Sequence, residues 1–251
     1  LQVMTVPDLP ALVQSLRQRG VYTIARIVTF KDTLLAHARP DLALRRPDGT
    51  LYLDREGLAW TSPYKPEVWR YNIALAVEAA AAGFDEIQFD YVRLPDTTQV
   101  AYDVPSTEAQ RTAAIDGFLA EASRALVSAN VFLSADVFGY VCWNSNDTRI
   151  GQQLEHVAAI VDYVSPMLYP SSFQFGIPGC RNPVQNPYEI VRRSLEHARE
   201  RTGLPAVRFR PWLQAFSDYA FGGGRFTSGQ VRAQIQAAEA FGANGWMLWN
   251  P

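Results

Sequence analysis

Apolar, β-branched runs alternate with amphipathic helical stretches along almost the whole of this 251-residue chain. A parallel sheet covered by the helices that connect its strands is the architecture that buries such a pattern. The run VYTIARIVTF at 21–30 follows a helical stretch at 9–19 that Gly20 ends. A second helical stretch at 67–82 stops at Gly83 and passes through a short connection into the strand FDEIQFDYVRLP. The unit then repeats: helix 109–129, strand VFLSADVFG at 131–139, helix 150–161, strand YVSPMLYP, helix 187–202, strand VRFRPWLQAF, helix 228–241 and the closing GWMLWN. Between the first strand and the second helix, RRPDGTLYLDREG reads as a small hairpin insertion near 45–60, turned at Asp48-Gly49.

Six strands with their helices, and no glycine-rich phosphate turn at any strand end, favour an α/β fold of the (β/α)8 TIM-barrel type over a dinucleotide-binding sheet. Six strands do not close such a barrel, so the first two βα units are expected to be missing from this chain or replaced by something irregular. No linker or low-complexity segment interrupts the pattern, and the sequence reads as one N-terminally incomplete barrel domain over 1–251. Hydrophobic residues make up 48% of the chain, enough for a sizeable core, while no apolar run is long enough to span a membrane. The formal charge of -2 supplies no general attraction to nucleic acid or anionic lipid. No basic segment followed by an apolar run opens the chain at Leu1, so no signal peptide is legible. His37, His156 and His197 are far apart and the two cysteines lack a zinc spacing, so neither a metal nor a cofactor is expected. Cys142 and Cys180 both fall in loops, and the sequence leaves open whether they form one bridge or two free thiols.

In parallel barrels the loops after the strands build the site, so polar residues at strand C-terminal ends are the candidates and those at strand starts, such as Asp85 and Asp162, are structural. Alternation puts Gln88 and Asp90 on one face of FDEIQFDYVRLP, with Phe89 and Tyr91 against the helices, and puts Ser134 with Asp136 in VFLSADVFG. Two acids near the ends of neighbouring strands suit glycoside hydrolysis, in which one donates a proton to the leaving oxygen and the other attacks or stabilises the anomeric centre. The competing reading of Asp90 is a buried ion pair with Arg26 or Arg93. Arg26, Lys31, Asp32, Gln88, Arg93, Tyr140, Tyr169, Arg210, Gln214 and Trp249 are the candidate sugar-binding residues, since sugar hydroxyls take planar polar partners and sugar C–H faces lie on aromatic rings. Trp60, Trp143, Trp212 and Trp246 are further candidate platforms. The loops at 95–105 and 222–224 read as surface loops rather than lids.

Taken together, ARIVTFKD, GFDEIQFDYVRLP, SADVFGY, IGQQLE, VSPMLYPS, RPWLQAF and GWMLWNP, in this order, resemble a bacterial family of glycoside-hydrolase-type barrels first catalogued as a domain of unknown function. The likeness covers nearly the whole chain. In that family two strands precede the ARIVTFKD segment, so the resemblance implies that FDEIQFDYVR is the fourth barrel strand and SADVFG the fifth. It also implies Asp90 as nucleophile or stabilising carboxylate, as in barrels whose nucleophile is a fourth-strand Asp. The chitinase pattern DxxDxDxE laid on residues 85–92 finds Gln88 and Val92 where Asp and Glu are needed, which disfavours substrate-assisted chemistry. The expected function is hydrolysis or transfer at the glycosidic bonds of a bacterial or environmental polysaccharide outside the cytoplasm, with Asp90 and Asp136 catalytic. The alternative is a non-catalytic barrel that attaches to cell wall or exopolysaccharide.

Overall fold

The computed structural model describes residues 6–250; Leu1 and Pro251, the ends of the domain read from the sequence, lie outside the described residues. The elements are α1 (Leu9–Gln18), β1 (Ile24–Val28), α2 (Thr33–Ala38), α3 (Pro66–Ala81), β2 (Glu86–Asp90), α4 (Glu108–Leu126), β3 (Phe132–Phe138), α5 (Leu154–Ile160), β4 (Tyr163–Met167), α6 (Pro187–Thr202), β5 (Trp212–Gln214), α7 (Ser228–Phe241) and β6 (Met247–Trp249). The strands follow chain order in one six-stranded sheet, β1-β2-β3-β4-β5-β6, with β1 parallel to β2, β4 to β5 and β5 to β6. Contacts divide the chain into two compact units. The first comprises the residues up to Val104 with Gly117–Ser134, and the second comprises Pro105–Asp116 with the chain from Ala135 onward.

In the first unit every residue of β2 is buried, and the alternation sorts them. Phe89 points to the helical side, where its ring meets Phe118 of α4 at 4.9 Å between centroids; Phe30 reaches the same ring at 5.3 Å and Trp69 of α3 at 6.5 Å. Glu86, Gln88 and Asp90 share the other face. The insertion is held by antiparallel bridges Ala43–Thr61, Arg45–Leu51 and Leu53–Ala59, and Gly49 takes the left-handed turn position at φ 84°. Asp48 accepts the Thr50 N–H at 2.9 Å, closing the turn that Asp48-Gly49 announces.

In the second unit two sequence expectations are shortened for physical reasons. The strand read at VRFRPWLQAF contains only Trp212–Gln214, because Pro211 has no N–H for a ladder and the residues before it, Ala206–Arg208, form a single 3-10 turn. The helix read from 150 starts at Leu154, because a turn centred on Asp147 occupies the preceding residues. Asp147 takes Arg111 in a two-pronged pair, at 2.5 Å from Nε and 2.8 Å from Nη2, and accepts the N–H groups of Arg149 and Gly151 at 3.0 Å each. Thr148 and Arg149 lie in the left-handed region, at φ 51° and 61°. This turn delivers Gln152, whose side chain accepts the Phe138 N–H at 2.9 Å and donates to the Asp136 carbonyl at 3.0 Å. The end of β3 is thus fixed by a side chain acting as a strand neighbour.

A Cβ on Gly139 would stand 2.6 Å from the Met167 carbonyl oxygen and 2.7 Å from the Phe173 ring. Gly139→Ala is therefore expected to destabilise the protein by about 1–3 kcal/mol, read as a lower urea midpoint; an unchanged midpoint would show that this backbone can yield. Burial alone would raise the Asp147 carboxyl, but Arg111 and the N–H groups of Arg149 and Gly151 outweigh it and hold the carboxyl below its ordinary value. A depressed folded-state pKa gives stability that is complete above the unfolded value near about 3.9 and is lost as pH falls through the folded one. Stability measured against pH should therefore fall below about pH 4, and Asp147→Asn should flatten that fall; equal slopes would remove Asp147 from the acid transition.

Candidate active site

Asp90 ends β2, at the strand end where barrel sites are built, and its side chain is only 6% exposed. Among the described residues two donors meet it: the Arg26 guanidinium at Oδ2, and the Tyr91 N–H at Oδ1, 2.6 Å away. The sheet register explains the first, since Arg26 stands opposite Gln88 on β1 and reaches along the shared face to Asp90. The second depends on Tyr91, whose φ of 50° places an aromatic residue in the left-handed region. Such a conformation costs roughly 1–3 kcal/mol and persists where the surroundings impose it.

That backbone reversal also corrects the expected position of Tyr91. Its ring does not pack on the helices with Phe89 but meets Trp60 of the insertion at 5.7 Å, with Lys31 Nζ 4.8 Å and the Arg93 guanidinium 5.3 Å from its centroid. Arg93 also lies 5.0 Å from the Trp60 ring, so the insertion and the β2 end are joined by alternating cations and rings. Burial pulls Arg93 below the ordinary guanidinium value, against the opposing carboxylate charge of Asp90. Lys31 is buried and bonds Asp54 at 2.9 Å and Glu56 at 2.8 Å. Burial alone would lower its ammonium, and the two carboxylates outweigh that and raise it. Asp54 in turn accepts the Trp60 indole N–H at 3.0 Å, which makes Trp60 a core residue of the insertion rather than a platform. Asp32 is engaged as the cap of α2, its Oδ1 accepting the Leu35 N–H at 2.9 Å. Gln88 is buried between Glu86 and Asp90 on the same face.

In the second unit Asp136 is 1% exposed and its Oδ1 accepts the Trp212 indole N–H at 2.8 Å. Trp212 crosses Trp249 edge to face at 5.7 Å, which brings one candidate platform beside the ring that holds Asp136. Gln214, at the end of β5, is fully buried and engaged with Ser171 Oγ at 2.7 Å and with the Ser171 N–H at 3.0 Å. Tyr140 is half-buried, and its hydroxyl braces the following loop by accepting the Phe175 N–H at 2.9 Å and donating to the Gly176 carbonyl at 3.1 Å. Burial raises its phenol above the ordinary value despite the Phe175 bond. Tyr169 sets its ring edge to face with Phe216 at 5.2 Å.

Arg210 is displaced from the site read in the sequence. Because β5 begins only at Trp212, Arg210 precedes the strand, donates to the Asn244 carbonyl at 3.0 Å and covers Tyr163, the first residue of β4, at 4.3 Å. It stands at strand starts, the end that carries stability. Trp143 is likewise structural, stacked on His197 at 4.6 Å and bonded to Ser194 Oγ at 2.8 Å. Cys142 and Cys180 are both free and buried, which decides the open choice against a bridge, and burial pushes the Cys142 thiol up to about 12. Among the described residues no group of three or more His, Cys, Asp or Glu is placed to hold a metal ion, and no helix is long and apolar enough to cross a membrane.

Three groups escaped the sequence reading. Glu86 is fully buried on the face of Gln88 and Asp90, where its carboxylate accepts Tyr22 Oη–H at 2.8 Å and Ser134 Oγ–H at 2.5 Å; alternation alone would have found it. Gln152 and Asp218 are set by turns whose geometry no periodicity reports. Asp218 is buried and accepts Ser171 Oγ–H at 2.7 Å together with the N–H groups of Ala220, Phe221 and Gly223. Burial alone would raise its carboxyl, and these donors outweigh it and lower it.

No curated protein has a significant match to the chain. Among solved structures, the PgaB (BpsB) glycoside hydrolase domain of Bordetella bronchiseptica is similar at 18% identity and a TM-score of 0.66, over 96% of this chain and 74% of that one. The spore cortex-lytic enzyme SleL of Bacillus megaterium QM B1551 matches at 13% identity and 0.57, over 98% of this chain and 60% of that one. Catalytic domain 2 of the Ostrinia furnacalis Group II chitinase, solved with a bound (NAG)5, matches at 11% identity and 0.58, over 96% and 74% of the two chains. At these identities the likeness is one of fold, and it identifies the six parallel strands and their helices as part of a TIM-type barrel. The sequence itself matches, over residues 1–251, the family described as "Putative glycosyl hydrolase domain", and the chain belongs to that family.

Proposed function

We propose that this chain is a glycosidase that cleaves the O-glycosidic bonds of a polysaccharide, with Asp90 as nucleophile and Asp136 as acid/base. The observation that carries the reading is Asp90 itself: an enclosed carboxylate at a strand C-terminal end, met by two donors, followed by a tyrosine in strained backbone. An acid buried in a barrel wall needs such partners, and strain of this kind collects at working sites. Each Asp90 oxygen retains a lone pair beyond the one engaged by Arg26 or by the Tyr91 N–H.

In the first step Asp136 gives its proton to the glycosidic oxygen while Asp90 bonds to the anomeric carbon and the leaving chain departs. Asp136 then takes a proton from water, which attacks the same carbon and frees Asp90; an acceptor hydroxyl in place of water would give transfer. The Trp212 indole N–H orients the acid/base carboxyl. Gln88, Lys31, Arg93, Tyr169 and Trp249 supply polar and aromatic partners for the sugar. Neighbours named for spore cortex lysis and for chitin support a polymeric substrate, and we read the domain as acting on such a polymer outside the cytoplasm of a bacterium. One observation favours the reading of a carbohydrate-binding barrel without turnover: Arg26 is closed on Asp90 as an ion pair.

Cleavage of chitin, cellulose, peptidoglycan and aryl glycosides by wild type and Asp90→Asn decides between the two. Asp90→Asn is expected to lose activity by about 10³-fold or more, the scale for removing a reacting group. Because that substitution also breaks the Arg26–Asp90 ion pair, Asp136→Asn serves as a second variant that leaves the pair intact, with thermal unfolding of both as the control. Equal turnover by Asp90→Asn would remove the nucleophile, and binding without cleavage by wild type would favour the binding barrel.

A further inference from the structure

The loop that follows β5 in the second unit holds two rings, Phe216 and Tyr219, that the hydrolytic chemistry leaves without a task. Tyr169 supports Phe216 edge to face, and Phe216 lies parallel to Tyr219, with an interplanar angle of 9° and centroids 6.1 Å apart. Tyr219 is 60% exposed, yet it is held in place. Its hydroxyl is 2.9 Å from that of Ser172, and the residue before it is the buried Asp218, whose carboxylate gathers Ser171 and three backbone N–H groups of the same loop. A backbone bond from the Asp218 N–H to the Gly224 carbonyl at 2.7 Å closes the loop, so the 222–224 glycines belong to a clamped turn.

Fixing a large side chain costs conformational entropy, and an aromatic ring left mostly in water recovers little of it by burial. The packing of the unit therefore gives no reason for this arrangement, whereas a ligand face does. We propose that Tyr219, backed by Phe216, is a stacking subsite for a pyranose ring of a glycan chain, so that the protein recognises an oligomer rather than a single sugar. The apolar C–H face of a pyranose is the complement of such a ring, and the paired Ser172 and Tyr219 hydroxyls at its edge offer hydrogen bonds to sugar hydroxyls. A nucleobase would stack on the same ring, but a formal charge of -2 offers its phosphates no general attraction. The choice of ligand class rests on the glycosidase reading; the presence of a stacking surface does not.

The test is a calorimetric titration of the full chain with chitopentaose, cellopentaose, maltopentaose and xylopentaose. It uses wild type, Tyr219→Ala and Tyr219→Phe, each also in the Asp90→Asn background. At least one pentasaccharide should bind, Tyr219→Ala should weaken it about tenfold, and Tyr219→Phe should stay within about twofold, the scale of losing a ring against a single exposed hydroxyl. Unchanged binding by Tyr219→Ala, equal weakening by both variants, or no binding of any pentasaccharide to wild type would overturn the subsite. Because binding is read separately from cleavage, a failure of Asp90 as nucleophile would leave the Tyr219 result standing.

Discussion

A buried charge in a sheet must be answered by another charge on the same face, and the pairing of Arg26 with Asp90 is where this chain meets that demand. The pair exists because β1 and β2 run parallel in a register that sets Arg26 against Gln88, one alternation short of Asp90. Every residue of β2 is buried, so Glu86, Gln88 and Asp90 form a continuous polar line inside the first unit. Removing Arg26 from such a pair costs about 3–5 kcal/mol, because the buried Asp90 carboxylate loses the charge that answers it. The same line shows a division of labour along one strand. Glu86, at the start, is closed off by Tyr22 and Ser134, whereas Asp90, at the end, stands where the strand gives way to a strained residue.

The strain at Tyr91 links the strand to the insertion. By entering the left-handed region, Tyr91 turns its ring from the helices toward Trp60 and Lys31 and turns its N–H onto Asp90. Lys31, Asp54, Glu56, Trp60 and Arg93 then form one electrostatic and aromatic cluster around that ring. The hairpin is therefore a brace for the strand end that carries Asp90. In the second unit the equivalent task falls to Gln152 and Trp212, one holding the backbone on both sides of Val137 and the other holding the Asp136 carboxyl.

Period-two alternation made the sharing of a face by Gln88 and Asp90, and by Ser134 and Asp136, legible from the chain alone. The helices at Pro187–Thr202 and Ser228–Phe241 were equally readable, because Pro187, Gly203, Thr227 and Gly242 mark their ends. What stayed hidden depends on partners distant in sequence. The φ of Tyr91 is imposed by the insertion, the late start of α5 by Arg111 reaching Asp147, and the clamp that presents Tyr219 by Ser171 reaching Asp218. Trp60 and Trp143 show the same limit: an indole near a strand end reads as a platform until its N–H is found bonded within the core. Arg210 was misplaced because Pro211 delays the strand, a local effect that the proline itself announces.

Chemical rescue reads whether Asp90 is the group that bonds to the anomeric carbon. In Asp90→Gly, the space of the lost carboxylate admits azide, which can attack that carbon in its place. With Asp90 as nucleophile, azide restores cleavage of an aryl glycoside cut by wild type and yields a glycosyl azide of inverted anomeric configuration. Rescue confined to Asp136→Gly with that same inverted product, or no rescue at Asp90→Gly while the variant remains folded, would contradict that role.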